Sequence, residues 1–167
     1  MHGSAAWTVV RPTTEHARVV ASWSRSAEEA SHWCSRAEHP FPASAITAWW
    51  EGSDVQPWVL LDSEGTPVAY GEVWDDDEED ENELARLIVA PAHRRSGVGR
   101  RLVDELVAIA RTNGRSACFV RVAPDNVGAL ALYRAAGFCD VGDAQAAEWN
   151  QGQPVDYRWL EHPAFPA

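Results

Sequence analysis

The chain contains no lysine. All fourteen basic residues are arginine, so its fixed positive charges are all guanidinium groups, and with the many alanines this points to a GC-rich, bacterial coding genome. Cysteine is scarce: Cys34, Cys118 and Cys139 have neither the parity of a disulfide framework nor the spacing of a metal site. That excludes a disulfide-stapled scaffold, and no metal is expected. Cys118, inside an apolar strand pattern, reads as a small core residue. No apolar run approaches the roughly 18–20 residues of a membrane-spanning helix, and no basic stretch leads into an apolar one near the N-terminus. The chain is therefore expected in the cytoplasm, without a membrane partner. A net charge of −11 leaves too little basic surface to replace the counterions of DNA or RNA, which excludes nonspecific nucleic-acid binding.

What is present is the material of a core. Hydrophobic residues make up 46% and tryptophan occurs nine times, which excludes a disordered chain. With 167 residues and no repeat or linker, one domain over 1–167 is expected. Trp7–Arg11 reads as a short strand, followed by helices over Thr14–Ser22 and Ala27–Ser35. Pro40 and Pro42 then break the chain ahead of a short helix, Ala43–Trp50. Strands Pro57–Asp62 and Pro67–Trp74 flank a tight turn at Ser63–Thr66. In the second of them Val68, Tyr70, Glu72 and Trp74 alternate with Ala69, Gly71 and Val73. Beyond the centre of the chain come a strand at Ala117–Ala123, a helix at Asn126–Ala136 ended by Gly137, and strands at Phe138–Gly142 and Asp156–Leu160. The principal order, βααβββαβαββ with two late strand–helix–strand crossovers, predicts a mixed sheet flanked by helices.

The densest signal lies at Arg94-Arg95-Ser96-Gly97-Val98-Gly99-Arg100. Ahead of it, Leu84–Pro91 reads as a buried strand stopped by proline. After it, Val98, Leu102, Val103, Leu106, Val107 and Ala110 recur at helical spacing until Asn113-Gly114. Two glycines thus sit where a backbone can be approached closely, at a helix N-terminus whose free N–H groups point outward, among four arginines. That is an anion cradle suited to phosphate. Proline followed by Arg-x-x-Gly-x-Gly resembles the acetyl-CoA pyrophosphate loop of the GCN5-related N-acetyltransferase (GNAT) superfamily. A later stretch, Asn126-Val127-Gly128-Ala129-Leu130-Ala131-Leu132-Tyr133 and then Gly137-Phe138, is similar to that family's later motif. Together the motifs cover a donor-binding core of about 84–138, while the acceptor-side part, about 1–56, matches loosely.

The resemblance implies an α/β (α+β) fold: one GNAT-like domain with a mixed, mostly antiparallel, twisted sheet of about six or seven strands and helices on both faces. It implies acetyl-CoA as co-substrate and an amine as acceptor. Leu87, Ile88 and Val89 would offer main-chain groups to the pantetheine arm. The N–H groups from Arg95 to Arg100, with Arg94 beside them, would hold the pyrophosphate, so Ser96, Gly97, Val98 and Gly99 belong to the same site. Asn126 would bond the pantetheine or lie beside it, and it is also a good helix N-cap. Tyr133 would protonate the departing thiolate, its alternative being an ordinary helix residue with a surface hydroxyl. Without lysine, the chain cannot acetylate its own lysine side chains.

The general base has two candidates. Glu83 stands fourteen positions before Gly97, where some family members carry the base, and Glu72 lies on the neighbouring strand beside Tyr70 and Trp74. Ordered water with main-chain carbonyls is the third option. Asp75 to Glu83 holds eight acids in nine residues and is expected as a loop near the acceptor end of the cleft. There it would attract a cationic small molecule or a peptide N-terminus, with Trp74 and Trp49-Trp50 offering aromatic faces, or serve only as a solvated loop. It lacks the alternating ligands and glycine of a calcium loop. The leading expectation is acetyl transfer to a primary amine by direct attack in a ternary complex. A non-catalytic acyl-CoA-binding domain and another acyl donor are the alternatives. The tryptophan-rich surface and splayed late strands are compatible with a homodimer.

Overall fold

The structure, a computed structural model, describes residues 6–166. Seven strands form one sheet in the order β1-β2-β3-β4-β5-β7-β6. They are β1 (Thr8–Val10), β2 (Val55–Leu61), β3 (Pro67–Asp76), β4 (Glu81–Val89), β5 (Ala117–Val122), β6 (Cys139–Asp140) and β7 (Arg158–Glu161). Among the described residues six α-helices accompany them: α1 (Thr14–Ser22), α2 (Ala27–Cys34), α3 (Ala43–Trp49), α4 (Val98–Thr112), α5 (Val127–Ala135) and α6 (Asp143–Trp149). Every strand pair is antiparallel except β4–β5, where α4 carries the chain over the sheet and returns it in the same direction. No described helix is long and apolar enough to cross a membrane.

Burial falls on both faces of the sheet. The six α4 positions read from helical spacing, Val98 to Ala110, are all buried, against Val73 and Leu84 and against Leu130 and Tyr133 of α5. The opposite face is covered by α1 to α3, which bury Ala17, Val20 and Ile46 against Val59, Tyr70 and Ile88. Trp33 and Trp49 pack edge to face there with Phe41 tilted against both, ring centroids 4.9–5.8 Å apart.

Three departures from the sequence reading have physical causes. The acidic run is not a long loop: β3 continues to Asp76, β4 starts at Glu81, and only residues 77–80 turn. Arg115 makes this tolerable, its guanidinium lying 2.6 Å from Asp75 and 2.7 Å from Asp77, while Asp80 accepts from the Ser116 hydroxyl. The expected strand Phe138–Gly142 pairs only at Cys139–Asp140, and α6 follows it where no helix was expected. None of the seven α6 residues is buried; the helix is held by Trp149, whose ring stacks edge-on against Phe119 and Trp159 at 4.8 and 5.2 Å.

Candidate active site

β4 and β5 pair over only three residues, Glu81–Glu83 with Ala117–Phe119. Beyond that point β4 stays with β3 while β5 turns to β7, so the two central strands part and one edge of Leu84–Val89 has no strand beside it. β4 also carries an extra residue. Tyr70 pairs with Ile88 and Glu72 with Ala85, so two β4 residues, Arg86 and Leu87, oppose Gly71 alone, and Arg86 takes a left-handed φ of 54°. A cavity of 470 Å³ occupies the gap. Its walls are β4 from Glu83 to Leu87, the end of β5, α5 at Asn126, Ala129 and Tyr133, the last turn of α2, and the 153–157 segment before β7.

The candidate donor end is the glycine loop. Gly97 caps α4 with φ 84°, no side chain satisfies the helix start, and a Cβ there would meet nothing within 4 Å. The first N–H groups of α4 thus have no side-chain cap, as an anion site requires. Gly99 has the opposite reason: a Cβ would lie 3.2 Å from Leu132 and 3.6 Å from Val89, so glycine lets α4 start against both α5 and the end of β4. Ala90 N–H donates to Val68 in β3, so by strand alternation Leu87 and Val89 turn their main-chain groups toward the gap. Leu87 lines the cavity, whereas Ile88 is buried in the second core. The Val89 carbonyl accepts from Arg94 Nε at 3.0 Å.

Arg94 is therefore a strap. Its other nitrogens donate to Glu29 at 2.7 Å and to the Trp23 carbonyl at 3.1 Å, tying the loop to α1 and α2. Burial pushes the Glu29 carboxyl up, but the Arg25 N–H and the guanidiniums of Arg94 and Arg25 outweigh it and hold the carboxyl at about 2. Arg100 donates to Asp104 and the Ala135 carbonyl at 3.0 and 2.6 Å. Ser96 donates to the His93 carbonyl. Arg95, exposed with φ 59°, makes no ion pair with any described residue.

At the other end, the two proton-transfer candidates approach from opposite sides of the sheet. Tyr133 reaches the gap from α5; its ring is buried edge-on to Phe138 at 5.7 Å and it lines the cavity. Burial first, and then the nearby Glu83 and Cys118, push its hydroxyl far above the ordinary tyrosine value, so it remains protonated. Glu83 lines the cavity with its side chain 18% exposed. Burial raises its carboxyl to about 7, with Arg121 opposing and Glu81 adding to the rise. Arg121 Nε lies 2.8 Å from Glu83 Oε1, but out of line, so this buried oxygen has a charged neighbour and no aligned hydrogen-bond donor.

Glu72 is placed differently. It is fully buried, outside the cavity lining, and accepts from Tyr70 Oη, Trp74 Nε1 at 2.9 Å and Arg86 Nη1 at 3.0 Å. Trp50 Nε1 donates to the Tyr70 hydroxyl at 3.0 Å, extending the network. Burial raises the Glu72 carboxyl, while Arg86 and the hydrogen bonds work against the rise. Asn126 caps α5, accepting from Ala129 N–H at 3.3 Å, and also lines the cavity.

The sequence reading missed Arg86, Arg121, His32 and Tyr157. Arg86 lies over the rings of Trp49 and Trp74, 4.1 and 4.9 Å from their centroids, and its carbonyl accepts from Trp33 Nε1 at 2.8 Å. Arg121 faces Trp74, Tyr157 and Trp159 at 5.5–5.7 Å. His32 of α2 and Ser35, just past its end, bridge the gap to Asp125 at 3.2 Å and Tyr157 at 3.1 Å. A lone arginine inside each of two apolar strand runs was the available signal. Of the acidic run only Glu83 lines the cavity, with Trp74 just before the run; Trp49 stands behind Arg86 and Trp50 behind Tyr70. Among the described residues no group of three or more His, Cys, Asp or Glu is arranged to hold a metal.

Comparison with known proteins agrees with this architecture. The family described as the Acetyltransferase (GNAT) family matches residues 20–138. An IAA acetyltransferase of Azospirillum brasilense is 36% identical over 78 residues, 47% of this chain and 51% of that protein. The N-alpha-acetyltransferase RimI of Mycobacterium tuberculosis is 44% identical over 62 residues, 37% of each chain. The chain thus spans at most about half the length of the curated relatives it matches. Among solved structures, the Vibrio cholerae spermidine N-acetyltransferase in complex with CoA and spermine superposes with a TM-score of 0.70 at 16% identity, covering 93% of this chain and 92% of that one.

Proposed function

Because the chain belongs to the GNAT acetyltransferase family, we propose that it transfers the acetyl group of acetyl-CoA to a primary amine by direct attack in a ternary complex. One observation carries the reading: Glu83 and Tyr133, from opposite sides of the sheet, line the same cavity where β4 and β5 part. An amine attacking a thioester must lose a proton, and the leaving thiolate must gain one. Glu83, raised to about 7, is matched to the first task near neutral pH. Tyr133, held protonated, is matched to the second.

The donor end fits coenzyme A through the chain's own groups. The uncapped N–H groups from Arg95 to Arg100 suit a pyrophosphate, and exposed Arg95 adds charge without a competing partner among the described residues. Leu87 and Val89 present a strand edge to the amide-bearing pantetheine arm, with Asn126 beside it. Acetyl-CoA supplies the thioester carbonyl. In the transfer, the ammonium gives one proton to Glu83, the nitrogen lone pair forms the C–N bond as the C–S bond breaks, and the thiolate takes the Tyr133 proton. The second proton of the attacking nitrogen restores the Tyr133 hydroxyl, leaving the neutral amide, the free thiol and protonated Glu83.

The test is thiol release from acetyl-CoA across a panel of amines, with wild type beside Tyr133→Phe. The variant is expected to lose kcat by about 10²–10⁴-fold with CoA affinity nearly unchanged. Equal rates would remove Tyr133 from the mechanism.

A further inference from the structure

The charges that line the cavity differ from those of the chain as a whole. Against a net charge of −11, the cavity wall carries two arginines, Arg86 and Arg121, and one carboxylate, Glu83. Arg86 donates from Nη1 to Glu72, a buried counter-ion outside the cavity lining, and lies against the rings of Trp49 and Trp74. Arg121 has as its counter-ion Glu83, which lines the cavity itself. Its Nε lies beside Glu83, its Nη1 donates to Gln153 Oε1 at 3.3 Å, and its Nη2 has no acceptor among the described residues. Its remaining neighbours are the rings of Trp74, Tyr157 and Trp159.

This arrangement changes during the reaction. Once Glu83 has taken the acceptor's proton it is neutral, and Arg121, its side chain only 29% exposed, loses its one countercharge. A largely buried charge left without a partner is costly. A carboxylate is the group whose geometry matches the planar guanidinium fork.

We propose that Arg121 selects acceptors bearing a carboxylate close to the reacting amine, that is, amino-acid-like zwitterions in preference to polyamines. The proposal rests on the N-acetyltransferase reading and names its substrate class. The ammonium meets Glu83 while the carboxylate meets the unfilled edge of Arg121, so one adjacent pair of side chains holds both ends of the acceptor. The carboxylate is chemically unchanged by the transfer; it replaces Glu83 as the counter-ion of Arg121 when Glu83 is protonated.

The experiment offers the full chain acetyl-CoA with matched acceptors: a set of free amino acids, each beside its own carboxamide and its decarboxylated amine. Thiol release and the mass of the acetylated product are followed, and rates are referred to the free-amine fraction. Wild type is expected to favour the carboxylate member in kcat/KM by about 10–100-fold. In Arg121→Gln that ratio falls toward one, and in Arg121→Lys, which keeps the charge without the fork, it is partly kept. Losing Arg121 also alters Glu83 and slows every acceptor. The ratio cancels that common loss, so a merely structural role would leave it unmoved. A wild-type ratio at or below one overturns the proposal while leaving the transferase reading standing, and so does a preference that survives in Arg121→Gln. If acetyl-CoA binds and no amine in any arm is acetylated, the transferase reading itself falls, and this proposal with it.

Discussion

Replacing Glu83 by glutamine should make the protein more stable and less active, and both effects should depend on pH. Burial raises the Glu83 carboxyl from 4.5 to about 7, even with Arg121 2.8 Å away. Each tenfold change in proton affinity is worth about 1.4 kcal/mol, so ionising this group in the fold costs roughly 3 kcal/mol relative to the unfolded chain. The folded value lies above the unfolded one, so the native state holds the extra proton between them and this contribution falls as pH rises. Below about pH 4.5 the carboxyl is neutral in both states and the cost is absent. It grows between 4.5 and about 7 and is complete above that. Glutamine mimics the neutral form at every pH. Urea unfolding of wild type and Glu83→Gln from pH 4.5 to 8.5 should therefore give similar stabilities at the acid end, with the variant ahead by roughly 3 kcal/mol at the alkaline end. Wild-type kcat/KM should rise with pH through a limb near 7, and the variant should lose about 10²–10⁴-fold. A stability difference that is flat in pH would refute the burial argument. An unchanged rate would leave Glu83 structural.

The glycine loop and its strap offer two further tests. Gly97→Ala should cost about 1–2 kcal/mol, because its φ of 84° is left-handed and not because of crowding, and acetyl-CoA should still bind. Gly97→Trp, which projects bulk across the uncapped helix start, should abolish binding in a calorimetric titration; normal binding would show that the cradle lies elsewhere. Arg94→Ala removes donors to Val89, Trp23 and Glu29 together and should cost about 2–3 kcal/mol by urea unfolding. Glu29, held at about 2, adds stability that is present above about pH 4.5 and lost as pH falls through 2, so that acid-side slope should flatten in the variant. An unaltered slope would show that Arg94 is not what holds Glu29 ionised.

The legible parts of the fold were those written in local periodicity. The apolar stripe of α4, the proline that ends β4 and the glycines before α4 all follow from neighbours within a few positions. The helices α1, α2 and α3 fell where capping residues and the two prolines put them. The illegible parts depend on partners far along the chain. α6 has no buried face and exists because Trp149 packs on Phe119 and Trp159. The acidic hairpin closes because Arg115, some forty positions later, stands between Asp75 and Asp77. The same holds in the site: Glu83 and Glu72 looked equivalent as acids on adjacent strands. What separates them is that Glu72 meets three donors in a closed core, while Glu83 meets one misaligned guanidinium at a cavity wall.

The β4 bulge explains how one strand serves both the core and the cavity. In a regular strand, residues five apart lie on opposite faces. Ile88 is five positions from Glu83, yet Ile88 packs with Tyr70, and Ala85 and Glu83 stand opposite Glu72 and Trp74 on that same face of the sheet. The extra residue at Arg86 makes this possible. It lets Leu84 face α4 and Ile88 face α1 to α3, with Glu83 turned to the cavity. A left-handed arginine costs about 1–2 kcal/mol. Its own groups offset that cost: its guanidinium is held by Glu72 between two tryptophan faces, and its carbonyl by Trp33. The buried network of Glu72, Tyr70 and Trp74 thus stabilises the kink that aims Glu83. Under the proposed mechanism, Glu72 would act as a positioning residue while Glu83 and Tyr133 carried the proton transfers.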